Sequence, residues 1–362
     1  MHVVTNRLEG QKQVEEVRRV TIHRVSRLPL GITQAPAGPG RRANESGSSG
    51  FQSLAYRMYL QTLNAARVGN FSADIIRRHN LDAVLERETA YGAGAFASFV
   101  TNRPLLLEII GPRSSPLSLS RCFKLLAYSS LMVPEQFRSK AEYVEAAVNL
   151  GIFKPDEASG ARVREQLGFG GQIVVGYVGT FQSFHGVDDL LRAAAIALKS
   201  HPELKFLLVG PQSPSSVQLV GDLGITSHVT FTGAVKYEDV PAFINASDIM
   251  VAPYRTVGTD RESHGIGSPL KVLEYMAVGK PTIGSSLPQL EAIIQDGFTG
   301  RLFPQGDTAR LAGIITELAE GPAEREKLGR NGLALVSQRY AWTTLAGRIN
   351  DLIARQSRQD SR

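Results

Sequence analysis

His264-Gly-Ile-Gly-Ser-Pro-Leu-Lys-Val-Leu-Glu-Tyr-Met-Ala-Val-Gly-Lys-Pro-Thr-Ile-Gly284 reads as one loop–helix–turn–strand unit. The glycines before Pro269 make a loop, and the apolar run after it is helical. Gly279 and Pro281 stop the helix, and a short strand follows at once. Upstream the same alternation repeats. Ile173–Gly179, Lys205–Gly210, Val229–Gly233 and Ile249–Pro253 are short apolar runs that end in Gly or Pro, so they read as buried strands. Between them Val187–Lys199, Ser213–Leu223 and Asp239–Asn245 read as helices. Further short units are expected at Leu290–Asp296, Arg301–Phe303 and Asp307–Ala319. Strands alternating with helices through short turns predict an α/β fold with a parallel, doubly wound sheet. Ligands of such sheets bind at the carboxyl ends of the strands. Gly179, Gly210, Gly233 and Pro253 stand at those ends.

The N-terminal half shows the pattern less cleanly. Val3–Thr5, Val20–Val25, Ala83–Glu86 and Pro104–Ile109 are expected strands, with Val144–Val148 as the last. Phe51–Val68 and Gly92–Val100 are expected helices. Ala35–Gly50, rich in Gly, Ser, Pro and Arg, is expected to be a mobile loop. The organisation predicted is an N-terminal domain over 1–155, a linker over 156–172, a C-terminal domain over 173–340, and a last helix over 341–362 that returns toward the first domain.

At 362 residues the chain is long enough for two domains, and its 43% hydrophobic and 20% charged residues are ordinary for a globular protein. No run approaches the roughly 18 to 20 apolar residues of a membrane span. Met1–Asn6 reads as a strand and not as a leader, and a single Cys122 leaves no internal disulfide, so a cytoplasmic setting is expected. Residues 1–170 carry 22 Lys and Arg against 15 Asp and Glu, whereas residues 171–362 carry 18 against 19. The basic first half suits contact with an acidic substrate or an anionic membrane surface, with a plain solubilising surface as the alternative because the basic residues are scattered. Nucleic-acid binding has only the pI behind it, because no basic-aromatic motif accompanies the charge.

Lys271 and Glu274 are three residues apart and share a helix face. The Gly265–Ser268 loop presents free backbone N–H groups at that helix's N-terminus, a ready anion site. A cation and a carboxylate beside such amides suit a ligand that carries both phosphate and sugar hydroxyls. The bland alternative is a solvent-facing salt bridge. The flanking Val272, Leu273, Tyr275 and Met276 argue for a mostly buried helix instead. Gly179-Thr-Phe-Gln-Ser-Phe-His185-Gly186 also joins a strand to a helix, where amides and a histidine can reach a phosphate; a turn with a surface histidine is the plain alternative. Its glycines do not match the G-x-G-x-x-G dinucleotide fingerprint. Glu86, Glu88 and Glu108, near strand ends of the first half, are candidates to touch an acceptor or act as a base, with ion pairs to Arg87, Arg103 or Arg113 as the plain alternative. The seven histidines show no ligand spacing, so no metal site is expected. No G-x-S-x-G elbow points to a hydrolase.

These residues carry a family resemblance. Tyr177-Val-Gly-Thr-Phe181 with His185–Leu190, Phe206–Gly210, Val229–Gly233, Ala246–Pro253, Ser268–Ala277, Gly279-Lys-Pro281, Asp296–Gly300 and Tyr340-Ala-Trp342 occur in the order and spacing of the retaining glycosyltransferases of family 4. The resemblance covers residues 173 to 345. It implies the GT-B fold, in which two Rossmann-like domains face each other across a cleft. It implies transfer of a sugar, with retention at the anomeric carbon, from a nucleotide-diphosphate sugar to a hydroxyl of a glycan, lipid-linked or small-molecule acceptor. No metal and no cofactor are implied. By this analogy Glu274 holds the ribose, and Lys271, with the loop residues Gly265, Ile266, Gly267, Ser268, Pro269 and Leu270, all but the proline offering an N–H, holds the diphosphate. Gly179, Thr180, Gly186 and Gly210 line the donor site, and His185 joins the catalytic group.

The chain departs from the family pattern in several places. Thr180 and His185 stand where many members carry Arg and Lys, so Lys271 and a protonated His185 are expected to supply the positive charge. Ile266 replaces the upstream member of the paired glutamates. No histidine ends the Pro104–Ile109 strand. His2–Asn6 resembles the second strand of the family, so the first strand with its Gly-rich loop is absent and the N-terminal domain is expected to be incomplete. A catalytically impaired nucleotide-sugar-binding protein, or a sugar-nucleotide epimerase of the same fold, is the alternative to a transferase.

Overall fold

Strand and helix alternate through a chain that divides into two compact units, Met1–Val144 with Ile349–Arg362, and Glu145–Arg348. The computed structural model describes residues 1–6, 12–17, 20–25, 48–87, 92–110, 114–256 and 269–360.

In the first unit the strands are β1 (His2–Asn6), β2 (Val14–Val17), β3 (Val20–Val25), β4 (Val84–Arg87), β5 (Leu105–Ile109), β6 (Lys124–Ala127) and β7 (Ala141–Tyr143). The helices are α1 (Ser48–Arg78), α2 (Ala93–Thr101) and α3 (Pro116–Arg121). The described strands fall into two sheets. One has the order β1-β3-β2, with β1 parallel and β2 antiparallel to β3; the other is all parallel, β4-β5-β6-β7. Leu105, Leu107, Ile109, Leu125 and Ala127 form the core of the second sheet with Ala95 of α2 and Leu119 of α3. The last strand is Ala141–Tyr143, and Val144–Val148 is not a strand. Within it Val144 donates its N–H to the Ala127 carbonyl at 3.0 Å, and Val148 forms an isolated bridge to Ala341. Helix α1 runs ten residues past the expected Val68. Of the stretch read as a mobile loop, residues 35–47 lie outside the described residues and 48–50 belong to α1.

The second unit contains α4 (Glu157–Leu167), β8 (Val174–Val178), α5 (Val187–Ala197), β9 (Lys205–Val209), α6 (Pro214–Asp222), β10 (Val229–Phe231), α7 (Val240–Ala246), β11 (Ile249–Ala252), α8 (Leu270–Ala277), β12 (Thr282–Ser285), α9 (Pro288–Glu291), β13 (Arg301–Phe303), α10 (Thr308–Glu320) and α11 (Pro322–Arg339). Helix α12 spans Trp342–Asp360. The six strands make one parallel sheet in the order β10-β9-β8-β11-β12-β13, as the alternating pattern predicts. The order turns between β8 and β11, the place where open parallel sheets of this kind bind their ligands.

Helix α5 shows why the elements form where they do. Val187, Leu190, Leu191, Ala194 and Ala197 recur at helical spacing and are all buried. They join Val175, Phe206 and Leu208 of the sheet and Leu311, Ile314 and Ile315 of α10 in one apolar cluster. Full burial of each Leu or Ile there contributes about 1.5 to 3 kcal/mol. Helix α8 packs elsewhere in the unit, where Val272, Leu273, Tyr275 and Met276 cluster with Met250, Ile294 and Val336. Its end is set by Gly279 at φ 76°, a left-handed turn that glycine accepts without strain.

The stretch expected as a linker is largely helical and belongs to the second unit. Asp156 caps α4 by accepting from the Ser159 N–H, and Gly160 lies so close to the Asn245 carbonyl that a Cβ would come within 2.7 Å of it. Arg164 of α4 donates to the Gln172 and Ala246 carbonyls and pairs with Asp248 at 3.0 Å. Those contacts hold a helix that buries little apolar surface of its own.

Candidate functional site

The loop after β8 is built on close backbone approaches. Gly179 (φ 147°) donates its N–H to the Val209 carbonyl at 2.9 Å. A Cβ on Gly210 (φ 141°) would fall 2.0 Å from the Gly179 carbonyl oxygen, and one on Gly186 (φ 63°) would fall 1.7 Å from that of Pro253. Only glycine lets these loops approach so closely. Phe184 O accepts from the Arg255 N–H at 2.8 Å. The buried Asp189, in the first turn of α5, pairs with the Arg255 guanidinium through both carboxylate oxygens. Together these contacts seat the Ser183–Gly186 turn on the segment that follows β11.

Lys271 enters this frame from α8. Its Nζ donates to the Tyr177 hydroxyl at 3.1 Å and lies 4.6 Å and 4.8 Å from the ring centres of Tyr177 and Tyr254. A side chain on Gly179 would collide with it, since a Cβ there would be 2.7 Å from Nζ. Tyr177 in turn donates to the Thr180 carbonyl at 2.6 Å. Tyr275, fully buried one turn along α8, bonds Val178 through its hydroxyl and fixes the helix to β8. Burial pushes the Lys271 ammonium down to about 7, against the opposing pull of Glu274. Burial pushes the Glu274 carboxyl up to about 7, against Lys271 and the hydrogen bond from Tyr237. Both groups are therefore held where their charged forms lack full compensation, which is how binding sites for charged ligands differ from surface ion pairs.

His185 departs from the sequence reading. Its Nδ1 stands 2.6 Å from the Thr180 carbonyl, and its ring lies 4.3 Å from Phe184 and 5.5 Å from Tyr254. Burial first, and the Lys271 charge second, lower it to about 4. At neutral pH the ring is uncharged, so a protonated His185 does not add to the positive charge of the site.

Gly179, Thr180, His185, Gly186, Gly210, Lys271 and Glu274 thus come together at the carboxyl ends of β8, β9 and β11. Pro269 precedes α8 and Leu270 opens it with its side chain exposed. Gly265, Ile266, Gly267 and Ser268 lie outside the described residues, as does Glu88. The two described first-unit candidates, Glu86 and Glu108, are already committed. Glu86 is buried and accepts from the Ala95 N–H at 3.1 Å and the Ser118 hydroxyl at 2.8 Å, which caps α2. Glu108 accepts from the Tyr128 hydroxyl at 2.5 Å and stands 3.7 Å from Arg87. Tyr177, Tyr237 and Tyr254 were not singled out from sequence. For Tyr177 and Tyr254 the signal was an aromatic residue inside or just after an expected strand, which is common in any core, and Tyr237 stands in a turn with no such signal. Among the described residues no group of three His, Cys, Asp or Glu side chains is placed to hold a metal ion, and no helix is long and apolar enough to cross a membrane.

Residues 172–321 match the family described as Glycosyl transferases group 1. Over 222 residues the chain is 27% identical to the GDP-mannose-dependent α-(1-6)-phosphatidylinositol monomannoside mannosyltransferase of Mycolicibacterium smegmatis, covering 60% of this chain and 58% of that protein. It is 30% identical over 230 residues to the D-inositol 3-phosphate glycosyltransferase of Streptomyces avermitilis, covering 60% and 47%. The matched region spans about half the length of these relatives. Among solved structures, Anabaena HepE in complex with UDP and glucose aligns with a TM-score of 0.64 at 21% identity, covering 78% of this chain and 81% of that one. Sucrose-phosphate synthase from Thermosynechococcus elongatus aligns with a TM-score of 0.66 at 19% identity, covering 98% and 88%. These likenesses give the fold, the GT-B architecture of two Rossmann-like α/β units.

Proposed function

We propose that this protein is a glycosyltransferase whose second unit holds a nucleotide-diphosphate sugar and whose first unit receives an acceptor bearing the attacking hydroxyl. The observation that carries the reading is the Lys271–Glu274 pair. Both groups sit at the carboxyl ends of the strands, on one helix face, and burial draws both toward neutrality. Such a pair is stabilised by a ligand that brings an anion to one and hydroxyl donors to the other. A nucleoside diphosphate offers both, through its phosphates and its ribose. GDP-mannose and UDP-glucose, named with a relative and a structural neighbour, are the donors to try first.

In the reaction the acceptor oxygen bonds to the anomeric carbon as the carbon–oxygen bond to the diphosphate breaks. The diphosphate leaves with the electron pair and takes up the acceptor proton. Negative charge grows on the leaving oxygen, and Lys271 would stabilise it. Retention of configuration and independence from metal are part of this proposal, as is contact of the basic N-terminal half with an anionic membrane surface.

Calorimetric titration with UDP, GDP and ADP, without metal, tests the reading on wild type and Glu274→Ala. One nucleotide is expected to bind, and the variant to bind it at least ~10-fold more weakly, since a hydrogen bond to a charged group contributes about 1.5 to 3 kcal/mol. Equal binding by both proteins removes the ribose role. No binding of any nucleotide to wild type removes the donor site.

A further inference from the structure

We infer that His185 recognises a hydroxyl of the sugar being transferred, as a hydrogen-bond acceptor, and makes no cationic contact with the diphosphate. The inference rests on the donor-site reading above and assigns the moiety that this part of the site selects. Its first support is the tautomer. Nδ1 lies 2.6 Å from the Thr180 carbonyl oxygen, with the Thr180 hydroxyl 3.1 Å away. A carbonyl only accepts, so Nδ1 must carry the hydrogen. The neutral ring then presents a bare lone pair at Nε2, and no described residue bonds to that atom.

The second support is the neighbouring cation. Lys271 and His185 both stand against Tyr254, the first with Nζ 4.8 Å from the ring centre and the second with its ring edge-on at 5.5 Å. Binding a diphosphate favours proton uptake by the site. Lys271 titrates at about 7 and His185 at about 4, so the proton goes to the lysine first, and the charged lysine then opposes a second cation on the histidine. A diphosphate that is fully ionised offers only acceptor oxygens, which an acceptor nitrogen repels. Sugar hydroxyls are donors, and the sugar is the moiety joined directly to the diphosphate that Lys271 would hold. The Nε2 lone pair fits that moiety.

The third support is rigidity. The turn carrying His185 is pinned by Gly186 against Pro253, by the Arg255 N–H on the Phe184 carbonyl, and by the Asp189–Arg255 pair. The imidazole cannot swing away without breaking its own bond to Thr180. An acceptor fixed in this way discriminates between hydroxyl configurations, because a sugar epimer that turns its hydroxyl aside leaves the nitrogen unpaired.

The test compares a nucleoside diphosphate with its sugar conjugate, UDP with UDP-glucose and GDP with GDP-mannose, by calorimetry. His185→Ala is expected to weaken the conjugate by about 3- to 10-fold, the range of one neutral hydrogen bond, and to leave the free diphosphate unchanged. His185→Lys is expected to tighten the free diphosphate and to narrow its difference from the conjugate. Equal weakening of both ligands by His185→Ala, or no change in either, overturns the inference. Nitrogen-15 resonances of the wild-type imidazole need no variant. A neutral ring protonated at Nδ1 near pH 7 supports the inference, and an imidazolium or an Nε2–H ring overturns it. A wild type that binds none of the four ligands overturns the donor-site reading itself, and this inference with it. That outcome differs from selective retention of the free diphosphate.

Discussion

Lys271 Nζ lies 3.1 Å from the Tyr177 hydroxyl and 4.6 Å from the centre of the same ring, although the two residues are 94 apart in the chain. The lysine therefore hydrogen-bonds and faces a tyrosine, while Glu274 acts on it through charge alone. Burial outweighs the pull of Glu274 and lowers the ammonium.

The affinity for nucleoside diphosphate should depend on pH with a maximum near neutrality. A bound diphosphate raises Lys271 above about 7, so that contribution is complete below pH 7 and is lost as pH rises. Ribose hydroxyls lower Glu274 below about 7, so that contribution is complete above pH 7 and is lost as pH falls. Titration in buffers of different ionisation enthalpy should show proton uptake on the alkaline side and release on the acid side. A flat profile would separate both groups from the ligand.

Tyr177→Phe removes the acceptor of the Lys271 hydrogen bond and the donor to the Thr180 carbonyl. Diphosphate affinity should fall by about 3- to 10-fold, the size of one or two net hydrogen bonds. The alkaline limb of the profile should also move to lower pH, because the ammonium loses a stabilising dipole. A simple packing defect would lower stability without moving that limb, so the pH profile decides between them.

Arg255→Met leaves the Asp189 carboxylate, only 1% exposed, without its ion-pair partner. Removing one member of a buried pair costs about 3 to 5 kcal/mol, and the partial exposure of Arg255 reduces this to about 2 to 3 kcal/mol. Thermal unfolding should register the loss, and Asp189→Asn in the same background should recover part of it. An unchanged melting temperature would mean that the pair does not hold the turn.

Chelation by EDTA should leave sugar transfer intact, since Lys271 and backbone amides would carry the leaving-group charge without a metal. The check is transfer measured before and after EDTA, then with Mg²⁺ or Mn²⁺ restored. Loss of transfer that a metal repairs would show that the metal-free mechanism is wrong.

Local patterns sufficed for the second unit, because its strands are apolar runs closed by glycine or proline and its helices repeat at helical spacing. Helix α4 was hidden for the same reason. It buries only Gly160 and Val163 and is held by polar contacts to residues some 80 positions away, which periodicity does not register. The last strand of the first unit was displaced for a related cause. Val144–Val148 is as apolar as a strand, yet the backbone pairing with β6 is made by Ala141–Tyr143.

The sequence by itself determined the alternation of elements, the parallel sheet of the second unit, and the spacing that puts Lys271 and Glu274 on one helix face. Those follow from interactions between residues close in the chain. Only the tertiary structure decided that Glu86 is spent on capping α2, that Tyr177 and Tyr254 flank Lys271, and that His185 is neutral with its Nδ1 turned to Thr180. Charge state depends on burial and on neighbours brought from distant segments, and the three-dimensional packing of the loops supplies both.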